Sequence, residues 1–285
     1  MLKNSFQHIP GIGEKTERQL WKSGIINWKS FSQTAQTKLS PKKHESMTDY
    51  IKISKKNLQN SNPRFFTELL PAAQHWRIFS AFRNSTAYID IETTGLDSWG
   101  FDITTIALYD GKSIKYYING QNLDDFIDDI QKYSVIVTYN GKTFDVPFIQ
   151  NYFGIKLNNA HIDLRYVLKS LGYSGGLKKC EKAMGIDRGD LSGVDGYFAV
   201  LLWRDYKQNQ NEKALETLLA YNIEDVVNLE ILMVMAYNMK VEGTPFFDTY
   251  QLPVPQTPKI PFKPDPATID RIKHEIFSSP DPYQF

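Results

Sequence analysis

Ala87-Tyr88-Ile89-Asp90-Ile91-Glu92-Thr93-Thr94-Gly95-Leu96 is the stretch from which the rest of the chain is best read. From Ala87 to Glu92 small or apolar residues alternate with polar ones, and β-branched Ile89 and Ile91 recur at period two, which predicts a strand. Side chains two apart share a face, so Asp90 and Glu92 project together while Ile89 and Ile91 point the other way into packing. Carboxylates that close repel one another, so the pair needs a shared proton or a cation between them. Oxygen ligands of this kind suit Mg²⁺ or Mn²⁺. Thr93 to Leu96 ends the strand at once, beside a turn where a ligand could enter. An isolated Asp-x-Glu is more often two solvated acids on an exposed strand, so this stretch does not decide the matter alone.

Two other segments carry related chemistry. Val135 to Tyr139 reads as another strand, running through Asn140-Gly141 into a helix from about Thr143 to Phe153. Asp145 falls in the first turn of that helix, where the dipole favours a carboxylate; simple capping is the plainer explanation. A long amphipathic stretch, Asn211 to Lys240, has apolar residues at Leu215, Leu218, Leu219, Ile223, Val226 and Val227. Tyr221 and Asp225, four apart, share one helical face, as many surface Tyr-Asp pairs do.

Taken together, in this order, the three segments resemble the DEDD exonuclease superfamily in its tyrosine subtype. Asp90-x-Glu92 matches the first motif, and Asn140-Gly-x-x-Phe144-Asp145 resembles the form found in proofreading domains of family B DNA polymerases. Tyr221-x-x-x-Asp225 matches the third motif; the histidine variant would place His at position 220, where this chain has Ala220. Gly175 to Arg188, Asp195-Gly196, Trp203, Tyr206 and Leu219 to Leu229 extend the similarity to prokaryotic YprB-like, ribonuclease-H-like predicted exonucleases. This resemblance spans roughly residues 64 to 240 and includes His8 to Trp21. Such proteins occur alone or fused to helicases, so a helicase or repair partner would be consistent with it.

The resemblance implies a 3'-5' exonuclease that hydrolyses single-stranded DNA or RNA to 5'-mononucleotides with two Mg²⁺ or Mn²⁺ ions. Asp90 would bridge both ions, with Glu92 and Asp225 on one and Asp145 serving the other. Tyr221 would orient the attacking water. Thr93 to Leu96 would meet the terminal nucleotide, with Leu96 an apolar wedge, and Asn140 would contact the strand near the cleaved bond, although either could simply hold its turn. Asp163 would be supporting or structural, and Lys178 and Lys179 are candidate backbone contacts. A ribonuclease-H-type endonuclease and a non-catalytic nucleic-acid-binding or scaffolding module are the alternatives. No motif separates DNA from RNA, because that distinction rests on 2'-hydroxyl contacts.

Composition narrows the class. At 285 residues the chain can bury one catalytic domain and an accessory segment. No run approaches the eighteen or so apolar residues of a membrane span, and the first residues lack a signal peptide's apolar core, so no membrane partner is expected. Cys180 is the single cysteine, which rules out an internal disulfide and a multi-cysteine metal site and fits a reducing cytoplasm. The net charge of +1 hides a division: residues 1–60 hold eleven Lys or Arg against four Asp or Glu, whereas the remainder is acidic by six. The basic end is therefore the expected grip on a phosphate backbone, unless it is a solvated face. Within it, Ile9-Pro10-Gly11-Ile12-Gly13 before a helical stretch from Glu14 to Lys22 resembles a helix-hairpin-helix element. Gly11, Gly13 and Lys15 are its candidate nucleic-acid contacts, through free N–H groups at the helix start and one positive charge, with a plain turn capping the helix as the alternative.

The expected fold is α/β and ribonuclease H-like, a mixed five-stranded sheet flanked by helices with a small helical N-terminal segment. Ile103 to Tyr109 and Ser113 to Ile118 read as strands joined by Asp110-Gly111, a hairpin signal. A helix near Leu123 to Lys132 and a short strand around Ala160 to Leu164 follow, the latter reached through a crossover that makes strands parallel. Residues 61–84 read as a helical lead-in with Trp76, Phe79 and Phe82 in the core. The expected division is 1–60 basic segment, 61–240 exonuclease domain and 241–285 proline-rich strap. Nine of the fourteen prolines follow Val241, so an extended strap should precede a short helix at about 267–277.

Overall fold

The structure, a computed structural model, describes residues 1–34, 39–95, 102–191 and 193–278. Leu96 lies outside the described residues. Five strands, β1 (Thr86–Thr93), β2 (Ile103–Tyr109), β3 (Ile114–Ile118), β4 (Val135–Thr138) and β5 (Ala160–Asp163), form one sheet in the order β3-β2-β1-β4-β5. β1, β2 and β3 pair antiparallel, and β4 and β5 add in parallel. The mixed sheet expected from the sequence is present. The β2–β3 hairpin closes as its residues demand: Gly111 takes φ +84°, and Asp110 Oδ1 accepts the N–H groups of Lys112 and Ser113.

Before the sheet come α1 (Glu14–Lys22), α2 (Trp28–Gln33), α3 (Pro41–Gln59), α4 (Arg64–Leu69) and α5 (Trp76–Phe82). Pro63 and Pro71 break the lead-in into α4, a short turn and α5, because a proline cannot sit in a helix interior. After β3 come α6 (Asp125–Ile130), α7 (Asp145–Phe153), α8 (Leu164–Lys169), α9 (Leu177–Ala183), α10 (Gly196–Asn209), α11 (Glu212–Glu242), α12 (Phe247–Tyr250) and α13 (Pro266–Ser278). The helix expected from Thr143 starts two residues later. Asn140 is left-handed at φ +66° and Thr143 N–H returns to its carbonyl, so residues 140–143 spend their donors on a turn.

Strand alternation sorts the two faces of β1. Ala87, Ile89 and Ile91 pack with Phe126, Ile130, Phe148 and Ile149 on the α6 and α7 side. Tyr88 joins the larger core on the α11 side, the face that Asp90 and Glu92 share by parity. α11 runs 31 residues, about 45 Å, without an internal Gly or Pro, and is buried along most of its length. Arg83 reaches Glu230 while Asp90 reaches Asn222, so α11 runs counter to β1. The N-terminal residues Phe6, Ile9, Leu20, Trp21 and Trp28 belong to the same apolar cluster as α11.

Residues 251–265 contain neither helix nor strand, as their prolines predict. They lie back along α11: Leu252 exchanges two hydrogen bonds with Asn238, and Asp265 N–H donates to Thr217. No helix among the described residues is long and apolar enough to cross a membrane.

Candidate active site

β1 delivers Asp90 and Glu92 to the α11 face of the sheet, opposite Ala107 and Thr105 of β2. The pairing shifts between Glu92 and Thr93, so the ladder is interrupted where the strand leaves the acids. α11 passes over this point and supplies Asp225. One carboxylate oxygen from each of Asp90, Glu92 and Asp225 lies within 4.8 Å of the others. Asp145, first residue of α7, follows the turn after β4; its Oδ1 accepts the Ile91 N–H at 3.3 Å, which ties the helix start to β1. The structure therefore groups three of the four acids that the sequence suggested, Asp90, Glu92 and Asp225, and sets Asp145 beside them through its bond to Ile91. Tyr221 is buried one helical turn before Asp225.

Asn222 and Arg188, which the sequence left without a role, and Lys178, which it offered only as a backbone contact, hold this cluster. Asn222 Nδ2 donates to Asp90 Oδ2 at 2.8 Å and to its carbonyl at 3.3 Å, while Asn222 Oδ1 accepts from Thr105 Oγ1 at 3.1 Å. Asp90 is thus held from α11 by Asn222, which Thr105 of β2 holds in turn. Arg188 Nη1 lies 2.6 Å from Asp225 Oδ1 and also pairs with Glu181 at 3.0 Å, and Nη2 lies 3.3 Å from Glu224. Lys178, at the start of α9, forms an ion pair with Asp225 Oδ2. Lys178 Nζ and Arg188 Cζ stand 4.4 Å and 5.3 Å from the Tyr221 ring centroid, a cation-π arrangement on both counts. The available signal for Asn222 was a polar residue on the most apolar stretch of a buried helix. Arg188 closed the Gly175–Arg188 stretch that carries the resemblance, but nothing local named its partners, which are assembled only by folding.

Electrostatics follow from burial and mutual repulsion. Burial first, then Asp225 and Asp145, push the Asp90 carboxyl far above its ordinary range. Burial and Asp225 do the same to Glu92. Asp145 is raised to about 7, chiefly by burial and against the hydrogen bond from Ile91. Burial and the surrounding carboxylates push the Tyr221 phenol far up, so it stays protonated near neutrality. Six carboxylates, those of Asp90, Glu92, Asp145, Glu181, Glu224 and Asp225, meet two cationic side chains, Lys178 and Arg188. The formal excess of four negative charges calls for protons or cations. Asp225 Oδ1 is buried, and its charge is met by the Arg188 ion pair. Closely set hard oxygen donors in formal charge excess fit a divalent cation such as Mg²⁺ or Mn²⁺.

The remaining suggested residues fall into two groups. Thr93 is buried beside the cluster, with its hydroxyl donating to the Gly95 carbonyl. Asn140 holds its own turn: its Oδ1 accepts from Thr143 Oγ1 and Arg165 Nη1, and its N–H donates to Asp163. Asp163 also accepts from Lys142 N–H, so it fixes the loop that carries Asn140. Gly141 must be glycine there, since a Cβ would run into the Thr138 side chain. Gly11, Gly13 and Lys15 are exposed at the start of α1 and are not part of the acid cluster.

Residues 87–237 match the model of the RNase H superfamily. No curated protein matches the sequence. Solved structures do match, among them the family B DNA polymerase from the hyperthermophilic archaeon Pyrobaculum calidifontis, at 15% identity and a TM-score of 0.43. That similarity covers 55% of this chain and 24% of the polymerase, so the chain spans about a quarter of that protein's length. The family match takes in β1 from Ala87, the other four strands, α7, and α11 as far as Tyr237, and on it this chain belongs to the RNase H superfamily.

Proposed function

We propose that the protein is a divalent-cation-dependent 3'-5' exonuclease of single-stranded DNA or RNA, of the DEDD tyrosine subtype and akin to the YprB-like group. The observation that carries the reading is the meeting of Asp90, Glu92 and Asp225 within 4.8 Å, from elements more than a hundred residues apart in the chain. The superfamily match supports a nuclease. Mg²⁺ or Mn²⁺ held by Asp90, Glu92 and Asp225, with Asp145 beside them, would polarise the phosphodiester and activate water. The chain's own residues do the positioning. Asn222 and Thr105 fix the Asp90 carboxylate, and the Ile91 N–H fixes Asp145. Tyr221, protonated, offers a phenolic hydroxyl to orient the attacking water rather than to take its proton. Lys178, about a third exposed, can turn from Asp225 toward the substrate's phosphate, a contact charge favours. Residues 1–60 would supply grip, 61–240 chemistry and 241–285 a strap.

The test is incubation with 5'-labelled single-stranded DNA and RNA in Mg²⁺ or Mn²⁺, beside Asp90→Asn and a chelator. A ladder that shortens from the 3' end and vanishes in both controls supports the reading. Cutting of a circular substrate would point to an endonuclease instead. Binding without cleavage, equal in wild type and variant, would point to a non-catalytic module.

A further inference from the structure

Folding gathers part of the basic N-terminal charge into a concave site away from the acids. A cleft of about 720 Å³ opens between the 3-10 turn Leu2–Asn4, the start of α2, the end of α3 and Tyr250 of α12. Lys3, Lys29 and Lys55 line it, one from each of the first three elements, and among the described residues no Asp or Glu does. All three lysines are exposed, and among the described residues none forms an ion pair. The frame around them is fixed. Asn4 donates to the Ile26 carbonyl at 2.9 Å and accepts from the Tyr250 hydroxyl at 2.8 Å, and Trp28 Nε1 donates to the Ser5 carbonyl at 2.8 Å. Asn27 caps α2 through its Oδ1, which leaves its amide N–H groups as further donors. Three unpaired ammonium groups and an amide donor around a cleft without acids suit a polyanion, not a cation or an apolar ligand.

The location matters as much as the charge. Tyr250 lies just beyond the carboxyl end of α11, whose Asn238 is bonded to Leu252, whereas Asp225 lies in the half of α11 over the acids. From Asp225 to Asn238 the helix axis rises about 20 Å. We propose that this cleft is a second nucleic-acid site, which holds the phosphate backbone of the strand whose 3' end is at the acid cluster. The proposal rests on the function given above, and it assigns the grip to residues other than Gly11, Gly13 and Lys15, none of which lines the cleft.

Binding of a labelled single-stranded 30-mer, followed by fluorescence anisotropy in EDTA so that nothing is cut, tests it. Replacing Lys3, Lys29 and Lys55 by Ala should weaken binding about tenfold at low salt and reduce the slope of log K against log salt by about 2, the share of three phosphate contacts on a single strand. Lys29→Glu with Lys55→Glu should weaken it further. Lys42→Ala with Lys43→Ala and Lys52→Ala makes the same change in charge on another part of α3 and should lose much less. Equal losses in the two triple variants, or none in either, would overturn the cleft as a site. Because binding is read without cleavage, the outcomes separate. A chain that binds through these lysines yet never cuts keeps the cleft and loses the exonuclease, and one that cuts while ignoring them does the reverse.

Discussion

At the scale of single residues, the site is defined as much by what holds the acids as by the acids. Asn222 is buried and gives both its amide donors' direction and its carbonyl to the site, through Asp90 and Thr105. Asn222→Ala should lower both hydrolysis and Mn²⁺ affinity about 10- to 100-fold, as loss of a partner that orients a ligand does. Titration calorimetry beside the rate assay would check this, and unchanged affinity would remove Asn222 from the positioning set. A second residue sets a pH response far from the acids. His8 is buried between Trp28 and Phe66, and burial first, then Arg77, lowers its pKa to about 3. A lowered folded pKa means that the unfolded chain binds the proton more tightly. Stability is therefore whole above the ordinary value near 6.5 and is lost, by about 1.4 kcal/mol per pH unit, as pH falls toward 3. Urea unfolding of wild type and His8→Phe between pH 7 and 4 should show the difference narrowing in favour of the variant by that slope.

At the scale of elements, the question is what fastens the N-terminal helices to the sheet domain. Glu17 of α1 is fully buried and accepts from Phe6 N–H at 2.7 Å, Gln7 Nε2 at 2.6 Å and Arg77 Nη2 at 2.8 Å, and Arg77 lies in α5. This buried pair joins the first helix to the last one before β1. Removing one partner strands a charge in the core, so Arg77→Met should cost about 3–5 kcal/mol, while Arg77→Met with Glu17→Leu should recover part of the loss. Chemical denaturation measures both; a double variant no better than the single would show that Glu17's bonds to residues 6 and 7 matter more. The element boundaries themselves were largely readable. Residues 14–22 form a helix with the limits expected, because Gly13 precedes and Ser23-Gly24 follows an amphipathic run. The stretch expected at 211–240 is α11, starting one residue later at Glu212 behind its Asn211 cap and ending at Glu242 before Gly243. The helix expected at 123–132 shrank to Asp125–Ile130, because turn-type bonds claim the residues at both ends.

At the scale of the whole molecule, folding concentrates negative charge that a bound cation would relieve. Anything that binds the folded state alone stabilises it, by about 2.7 kcal/mol at a hundredfold excess over the dissociation constant. Saturating Mg²⁺ or Mn²⁺ should therefore raise the melting temperature, chelation should reverse the rise, and Asp225→Asn should abolish it. A melting temperature indifferent to both ions would argue against a cation at Asp90, Glu92 and Asp225.

The sequence by itself determined the strand-by-strand plan and the shared face of Asp90 and Glu92, because period two in a strand and period 3.6 in a helix are local properties that hydrophobic pattern and turn residues encode. It also named all four acids, by their likeness to a known set of motifs. Only the tertiary structure decided that Asn222 restrains Asp90, that Arg188 is shared among Asp225, Glu181 and Glu224, and that Lys3, Lys29 and Lys55 surround one cleft. Those contacts join residues separated by 132 positions for Asn222 and Asp90 and by 37 for Arg188 and Asp225. No local pattern specifies such a pairing; it exists because the sheet order and the path of α11 across the sheet bring the two ends together when the apolar faces are buried.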